Sequence, residues 1–190
     1  NQGDVIVWGN ILVRSWNSPT PAGGRLCGGL FTPAGLEGVH VFDISQTDGP
    51  PLPPDPRLLT GAEPEHLWTD LALLAHHDGF TLERGDCHGA NGYTRFDDRT
   101  IRVRQDVDPA QAVKTLAHEV GHVRADHETR FAGTYHQSVT CRGVAEIEAE
   151  SIAYLVVTAA GLDTCDYSVP YLAGWSGGDA SVLRDTATRV

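Results

Sequence analysis

The residues best suited to chemistry are His118-Glu119-Val120-Gly121-His122. On a helix, positions i and i+4 share a face, so both imidazoles can turn toward one ion. Glu119 lies one residue further round, where its carboxylate can reach a metal-bound water without being a ligand. The plain alternative is two surface histidines beside a glutamate. The surroundings weigh against it, because the motif falls mid-helix, after a strand, with a clear helix-start signal upstream.

A catalytic zinc site needs three protein ligands and one open position for water. The third donor is expected from Ala145-Glu146-Ile147-Glu148-Ala149-Glu150-Ser151, which opens a second long helix. Everything after these acids is apolar on all sides, so that helix must be buried. Buried carboxylates need partners, which a metal and its histidines would supply. The helix macrodipole also favours acids at an N-terminus, which accounts for Glu146 but poorly for Glu150. Glu146 and Glu150 lie on one face and Glu148 on the opposite one. Two arrangements compete: Glu146 as ligand with Glu150 behind it, or Glu148 as ligand alone.

The elements that must position these groups can be read along the chain. Residues 5–13 and 39–44 are strand-forming, the first with a Gly9-Asn10 turn signal at its centre. The segment Asp48 to Pro56 holds five prolines in nine residues, which makes a semi-rigid linker and the expected domain boundary. The expected division is a short β-rich segment with its linker over 1–55 and a second domain over 56–190. Beyond the linker, His66 to His77 has helical periodicity, residues 80–83 read as a short strand, and 93–96 with 100–104 as a hairpin. Ile101 and Val103 should face one way, Arg102 and Arg104 the other. Asp108-Pro109-Ala110-Gln111 is a strong helix start, with Asp108 as cap and Gln111 at the capping-box position. That helix should run to about Ala125, burying Val113, Leu116, Ala117 and Val120. Helices over roughly 144–160 and 180–190 complete an α+β chain.

Composition bounds the function. A chain of 190 residues with 41% hydrophobic and 21% charged residues can build a real core. No apolar run reaches the eighteen or so residues of a spanning helix. With 14 basic against 25 acidic residues the net charge is −11, which argues against nucleic acid as a partner. Lys114 is the only lysine, which looks like the codon bias of a GC-rich genome. The four cysteines have no C-x-x-C spacing, so free thiols in a reducing, cytoplasmic setting are the simplest expectation. The absence of methionine and the start at Asn1-Gln2-Gly3 suggest a processed product or part of a longer polypeptide.

HEVGH followed about two dozen residues later by a helical glutamate resembles the gluzincin pattern of metallopeptidases. In that group the second helix reads Glu-x-x-x-Asp, the first acid binding zinc and the second steadying a zinc-bound histidine. Glu146-x-x-x-Glu150 matches with Glu for Asp. Glu146-Ile147-Glu148-Ala149-Glu150-Ser151-Ile152-Ala153 is also similar to the Glu-x-x-Ala-Asn/Asp-x-Phe-Ala of ImmA/IrrE-type peptidases. On this resemblance Glu146 is preferred as third ligand. The zincin-like domain of ArdC-type antirestriction proteins, found in mobile-element and phage polyvalent proteins, is more similar still. The matching segments are residues 41–49, Lys114 to Glu119, Glu146 to Tyr154, Gly161 to Thr164 and Pro170 to Trp175, together covering roughly 39–190. The fold implied is a zincin-like metallopeptidase, a small antiparallel sheet with an HExxH helix and a second metal-ligand helix. In that family a single-stranded-DNA-binding domain precedes the peptidase-like one. Only about fifty residues precede the linker here, which suggests a shortened relative that retains the hydrolytic half.

The mechanism implied is metal-assisted hydrolysis of a protein or peptide. Zn2+ on His118, His122 and Glu146 lowers the pKa of its water to about 7, and Glu119 takes the proton as general base. The strand 100–104 is expected at the cleft edge, where it could add an extended peptide. Tyr135 and His136 are candidate oxyanion partners, and His127 is expected to be solvated just beyond the helix. The alternative is an antirestriction module associated with single-stranded DNA, its zinc site structural or inactive.

Overall fold

A computed structural model describes the backbone of residues 5–8, 11–14, 31–32, 35–36, 41–43, 56–132, 139–177 and 179–190, and side chains from 56 onward within these, except 139 and 140. The chain divides into two compact units, residues 1–54 with 137–139, and residues 55–136 with 140–190.

In the first unit β1 (Val5–Trp8), β2 (Ile11–Arg14) and β5 (Val41–Asp43) form an antiparallel sheet in the order β1-β2-β5. Trp8 pairs with Ile11, and Val13 with Val41. β3 (Phe31–Thr32) and β4 (Gly35–Leu36) make a separate two-stranded ladder. The expected Gly9-Asn10 turn and nearly all of the proline-rich linker lie outside the described residues.

The second unit carries α1 (Leu67–His77), β6 (Thr81–Gly85), β7 (Gly92–Arg95), β8 (Thr100–Arg104), α2 (Pro109–Arg124), α3 (His127–Arg130), α4 (Val139–Ala159), α5 (Cys165–Ser176) and α6 (Ala180–Ala187). Its architecture is α+β. The sheet is mixed and not antiparallel as expected: β8 lies in the centre, parallel to β6 and antiparallel to β7. The loop after β6 carries the chain past the position β8 will take, and the β7–β8 hairpin then folds β8 back into the gap. β8 therefore has both ladders filled and is not an edge strand. The edge near α2 belongs to β7.

Alternation along β8 places Ile101 and Val103 at 0% exposure against the helices. Arg102 turns outward, and its guanidinium donates to Glu83 at 2.5 and 2.9 Å. The core joins Ile101 and Val103 to Leu71 and Ala75 of α1, Val113, Leu116, Ala117 and Val120 of α2, and Ala153 and Val157 of α4. Every residue from Ala110 to His122 is buried, so α2 is enclosed on all sides. That is why its polar residues must find partners inside the protein. Among the described residues no helix is long and apolar enough to cross a membrane.

The start of α2 differs from the expected capping box. Asp108 makes no cap hydrogen bond of its own. Its carboxylate accepts from the Gly61 backbone at 2.8 Å, while Gln111 Oε1 accepts from the Leu59 backbone at 2.9 Å. The segment before α1 crosses this helix end, and its N–H groups take the oxygens that would otherwise cap. α6 is capped conventionally, Asp179 accepting from Ser181 N at 2.8 Å. α4 begins five residues before the expected start, and α5 was not foreseen as a helix.

Two glycines set close approaches. A Cβ on Gly121 would lie 3.2 Å from the Ala149 carbonyl oxygen and 3.3 Å from its Cα, so α4 packs backbone-close on the motif helix. A Cβ on Gly92 of β7 would lie 2.6 Å from Thr115 Cγ2, 3.0 Å from Arg102 O and 3.1 Å from Glu119 Oε1. Thr115 is β-branched and buried, so it has little room to yield. Gly92→Ala should therefore destabilise the protein by about 1–3 kcal/mol, read as a lower urea midpoint at unchanged slope.

Candidate metal centre

The i, i+4 spacing on α2 brings His118 Nε2 and His122 Nε2 to 3.1 Å of each other. Glu146 reaches them from α4, with Oε2 at 3.3 Å from His118 Nε2 and Oε1 at 3.7 Å from His122 Nε2. One ligand atom from each residue lies within 4.8 Å of the others, and all three residues are buried. An ion bonded at about 2.0–2.1 Å to three tetrahedral donors sets those donors about 3.3–3.4 Å apart. The observed separations of 3.1, 3.3 and 3.7 Å bracket that value. The donor set, two imidazoles and a carboxylate, suits a divalent transition ion.

Of the two arrangements left open by the sequence, the geometry brings Glu146 into the cluster. Glu150, one turn on, sits behind His118, its Oε2 2.9 Å from Nδ1 and 2.5 Å from Lys114 Nζ. Glu148 points the other way. Its Oε2 is 2.8 Å from His127 Nε2, and Arg130 grips both of its oxygens at 2.5 and 2.8 Å. His127, expected to be solvated, is 2% exposed, and its Nδ1 lies 2.8 Å from His122 Nδ1. The reason is local: Asp126 is left-handed (φ 55°, ψ 42°), which ends α2 and folds α3 back beneath it.

Glu119 faces the sheet side. Thr94 Oγ1 of β7 donates to its Oε2 at 2.9 Å. Burial pushes the Glu119 carboxyl up to about 7, against the pull of His118 and the Thr94 hydrogen bond. α5 closes the remaining side. Tyr171 Oη donates to Glu146 Oε2 at 2.8 Å, with its ring edge-on to His118. Tyr167 stacks beside Tyr171 and lies 3.9 Å from Lys114 Nζ, centroid to nitrogen. Tyr135 and His136, the oxyanion candidates, lie outside the described residues.

The electrostatics follow from dense burial. Desolvation alone would raise Glu150, but His118 and Lys114 outweigh it and hold the carboxyl at about 2. Burial works to lower His118, yet its bonds to Glu146 and Glu150 carry it up to about 10. Burial dominates at His122, which falls to about 3. A proton on His118 thus sits among acceptors where a divalent cation could replace it. Glu148 is held below the usual carboxylate range, its burial outweighed by Arg130 and His127.

Sequence reasoning missed three of these groups. Lys114 lies four residues before His118, on the same helical face, and that spacing was an available signal. Tyr167, Tyr171 and Trp175 recur every fourth residue, another available signal. His127 had none, because the turn at Asp126 breaks the helical register.

No family model matches the chain, and no similar curated protein or solved structure was found.

The Glu119 shift has a measurable consequence for stability. A carboxyl whose folded pKa lies above its ordinary 4.5 favours the folded state while protonated. That contribution is complete below about 4.5 and lost as pH rises through about 7. In chelator-treated protein, Glu119→Gln should therefore add about 1–3 kcal/mol at pH 8 and little at pH 5, measured by urea unfolding at both pH values.

Proposed function

We propose that this chain is a zinc-dependent metallopeptidase with a zincin-like arrangement of its second unit. The observation that carries the reading is the cluster of His118, His122 and Glu146, with Glu119 beside it on the same helix. His118, His122 and Glu146 would hold the ion. A zinc ion there supplies a Lewis acid that lowers the pKa of coordinated water to about 7 and polarises a peptide carbonyl.

The chain's own residues would do the rest. Glu119 accepts the proton of the attacking water and returns it to the leaving amine, a role that suits a carboxyl raised toward neutrality. Thr94 orients that carboxylate from β7, and Gly92 lets the strand come close enough for it to do so. Tyr171 steadies Glu146 through Oε2. Among the described residues β7 pairs on one side only, with β8, so an extended peptide could add along its open edge and pass beside Glu119. That transfers to β7 the substrate role which the sequence suggested for residues 100–104.

The low positive charge fits a protein substrate better than a nucleic acid. Both arginines of β8 are paired with acids, Arg102 with Glu83 and Arg104 with Asp106, which draws them away from phosphate.

Two substitutions test the reading. Glu119→Gln should lower cleavage of an unstructured protein such as casein by about 10²–10⁴-fold while zinc content by metal analysis stays unchanged. Full activity in that variant would remove Glu119 as the base. Glu146→Ala should lose most of the zinc, and far more than Glu148→Ala does. The reverse order would move the third ligand to Glu148.

A further inference from the structure

His127 takes no part in the reaction just described, yet it is among the most buried polar groups in the protein. Its two ring nitrogens are both engaged, Nδ1 with His122 Nδ1 and Nε2 with Glu148 Oε2, each at 2.8 Å. Two ring nitrogens at that distance share one proton, so one must donate and the other accept.

The direction can be worked out from the far end. Arg130 donates to both oxygens of Glu148 and, as a guanidinium, cannot accept. Clasped in this way, Glu148 is an acceptor, so the hydrogen bond to His127 must come from Nε2–H. A neutral His127 then has its lone pair on Nδ1 and accepts from His122 Nδ1–H. That leaves the His122 lone pair on Nε2, the nitrogen that faces His118 Nε2 and Glu146 Oε1. Each link is fixed by the one before it, starting at a side chain on α3.

His118 is held differently. Its Nδ1 meets a carboxylate, Glu150, which is itself paired with Lys114. One histidine of the pair leans on an anion and the other on a neutral ring.

We propose that His127 is the positioning residue for His122: the relay Arg130–Glu148–His127 fixes the tautomer and ring angle of His122 so that Nε2 is presented to a metal ion. This rests on the metal-centre reading above. Partners of this kind orient a ligand before the ion arrives, and losing one typically costs about 10–100-fold in affinity. The His127 relay also explains the left-handed Asp126, since only a sharp turn after α2 returns a side chain to the underside of His122.

The test is zinc affinity of the full chain, by competition with a chelator, together with the visible spectrum of the cobalt-substituted protein. His127→Phe keeps a ring but removes the acceptor, and should weaken zinc binding about 10–100-fold and shift the cobalt bands. His127→Asn, whose amide oxygen can stand near the Nδ1 position, should recover most of the affinity. A Phe variant that binds zinc like the parent, with an unchanged cobalt spectrum, overturns the relay and leaves the metal centre standing. A parent protein that takes up no zinc overturns the metal centre and the relay with it. Should the Phe variant not fold, nitrogen-resolved NMR of the chelator-treated parent decides: Nδ1–H on His122 with Nε2–H on His127 supports the relay, and the opposite tautomer on either ring overturns it.

Discussion

The centre depends on how closely α4 lies against α2. At Gly121 the backbone of Ala149 comes within reach of a missing side chain. Only that proximity allows three successive alternate residues of α4, Glu146, Glu148 and Glu150, to serve three different partners on or just after α2. Because α4 is a rigid rod, its carboxylates are placed as a set. Glu146 enters the cluster, Glu150 backs His118 one turn further on, and Glu148 on the opposite face finds His127 and Arg130. A wider helix separation would unseat all three together.

Packing acidic groups at this density carries a large desolvation cost, and the structure meets it with specific pairing. Buried ions are tolerable when their remaining hydrogen-bonding capacity is used. Glu148 receives from His127 and Arg130 on both oxygens. Glu150 receives from His118 and Lys114 through Oε2 alone, and its buried Oε1 finds no hydrogen-bond partner among the described residues. Glu119 is bonded by a threonine hydroxyl from β7, and its pKa is raised toward neutrality where those of Glu148 and Glu150 are lowered. At Glu119 burial outweighs the pull of His118 and the Thr94 hydroxyl, whereas at Glu148 and Glu150 direct hydrogen bonds from Arg130 and His127, and from His118 and Lys114, outweigh burial. Environment thus separates carboxylates that hold geometry from one suited to carry protons.

Much of this was legible in the sequence, and the rest was hidden for identifiable reasons. The i, i+4 histidines, the same-face relation of Glu146 and Glu150, and the inward Ile101 and Val103 all follow from element periodicity, which is local. The order of strands is not local: nothing in residues 81–104 states that β8 inserts between β6 and β7, so the open edge was assigned to the wrong strand. The capping of α2 failed for a similar reason, since Leu59 and Gly61 arrive from about fifty positions away. His127 was misjudged because a single left-handed residue redirects the chain, and Asp126 tolerates that conformation without advertising it. The resemblance to zincin-like peptidases pointed at Glu146 and took in residues 170–175, but gave no role to the tyrosines of α5 that wall the cluster.

The position of Lys114 has a consequence for the protein as a reagent. The chain contains one lysine, and it is buried against Glu150 and the face of Tyr167. No other side chain carries a primary amine, so the folded surface offers no lysine to acylation, to carbonyl adducts or to a lysine-directed protease. Amine-selective chemistry on a side chain therefore reports one event only, the opening of the helix pair that holds the centre.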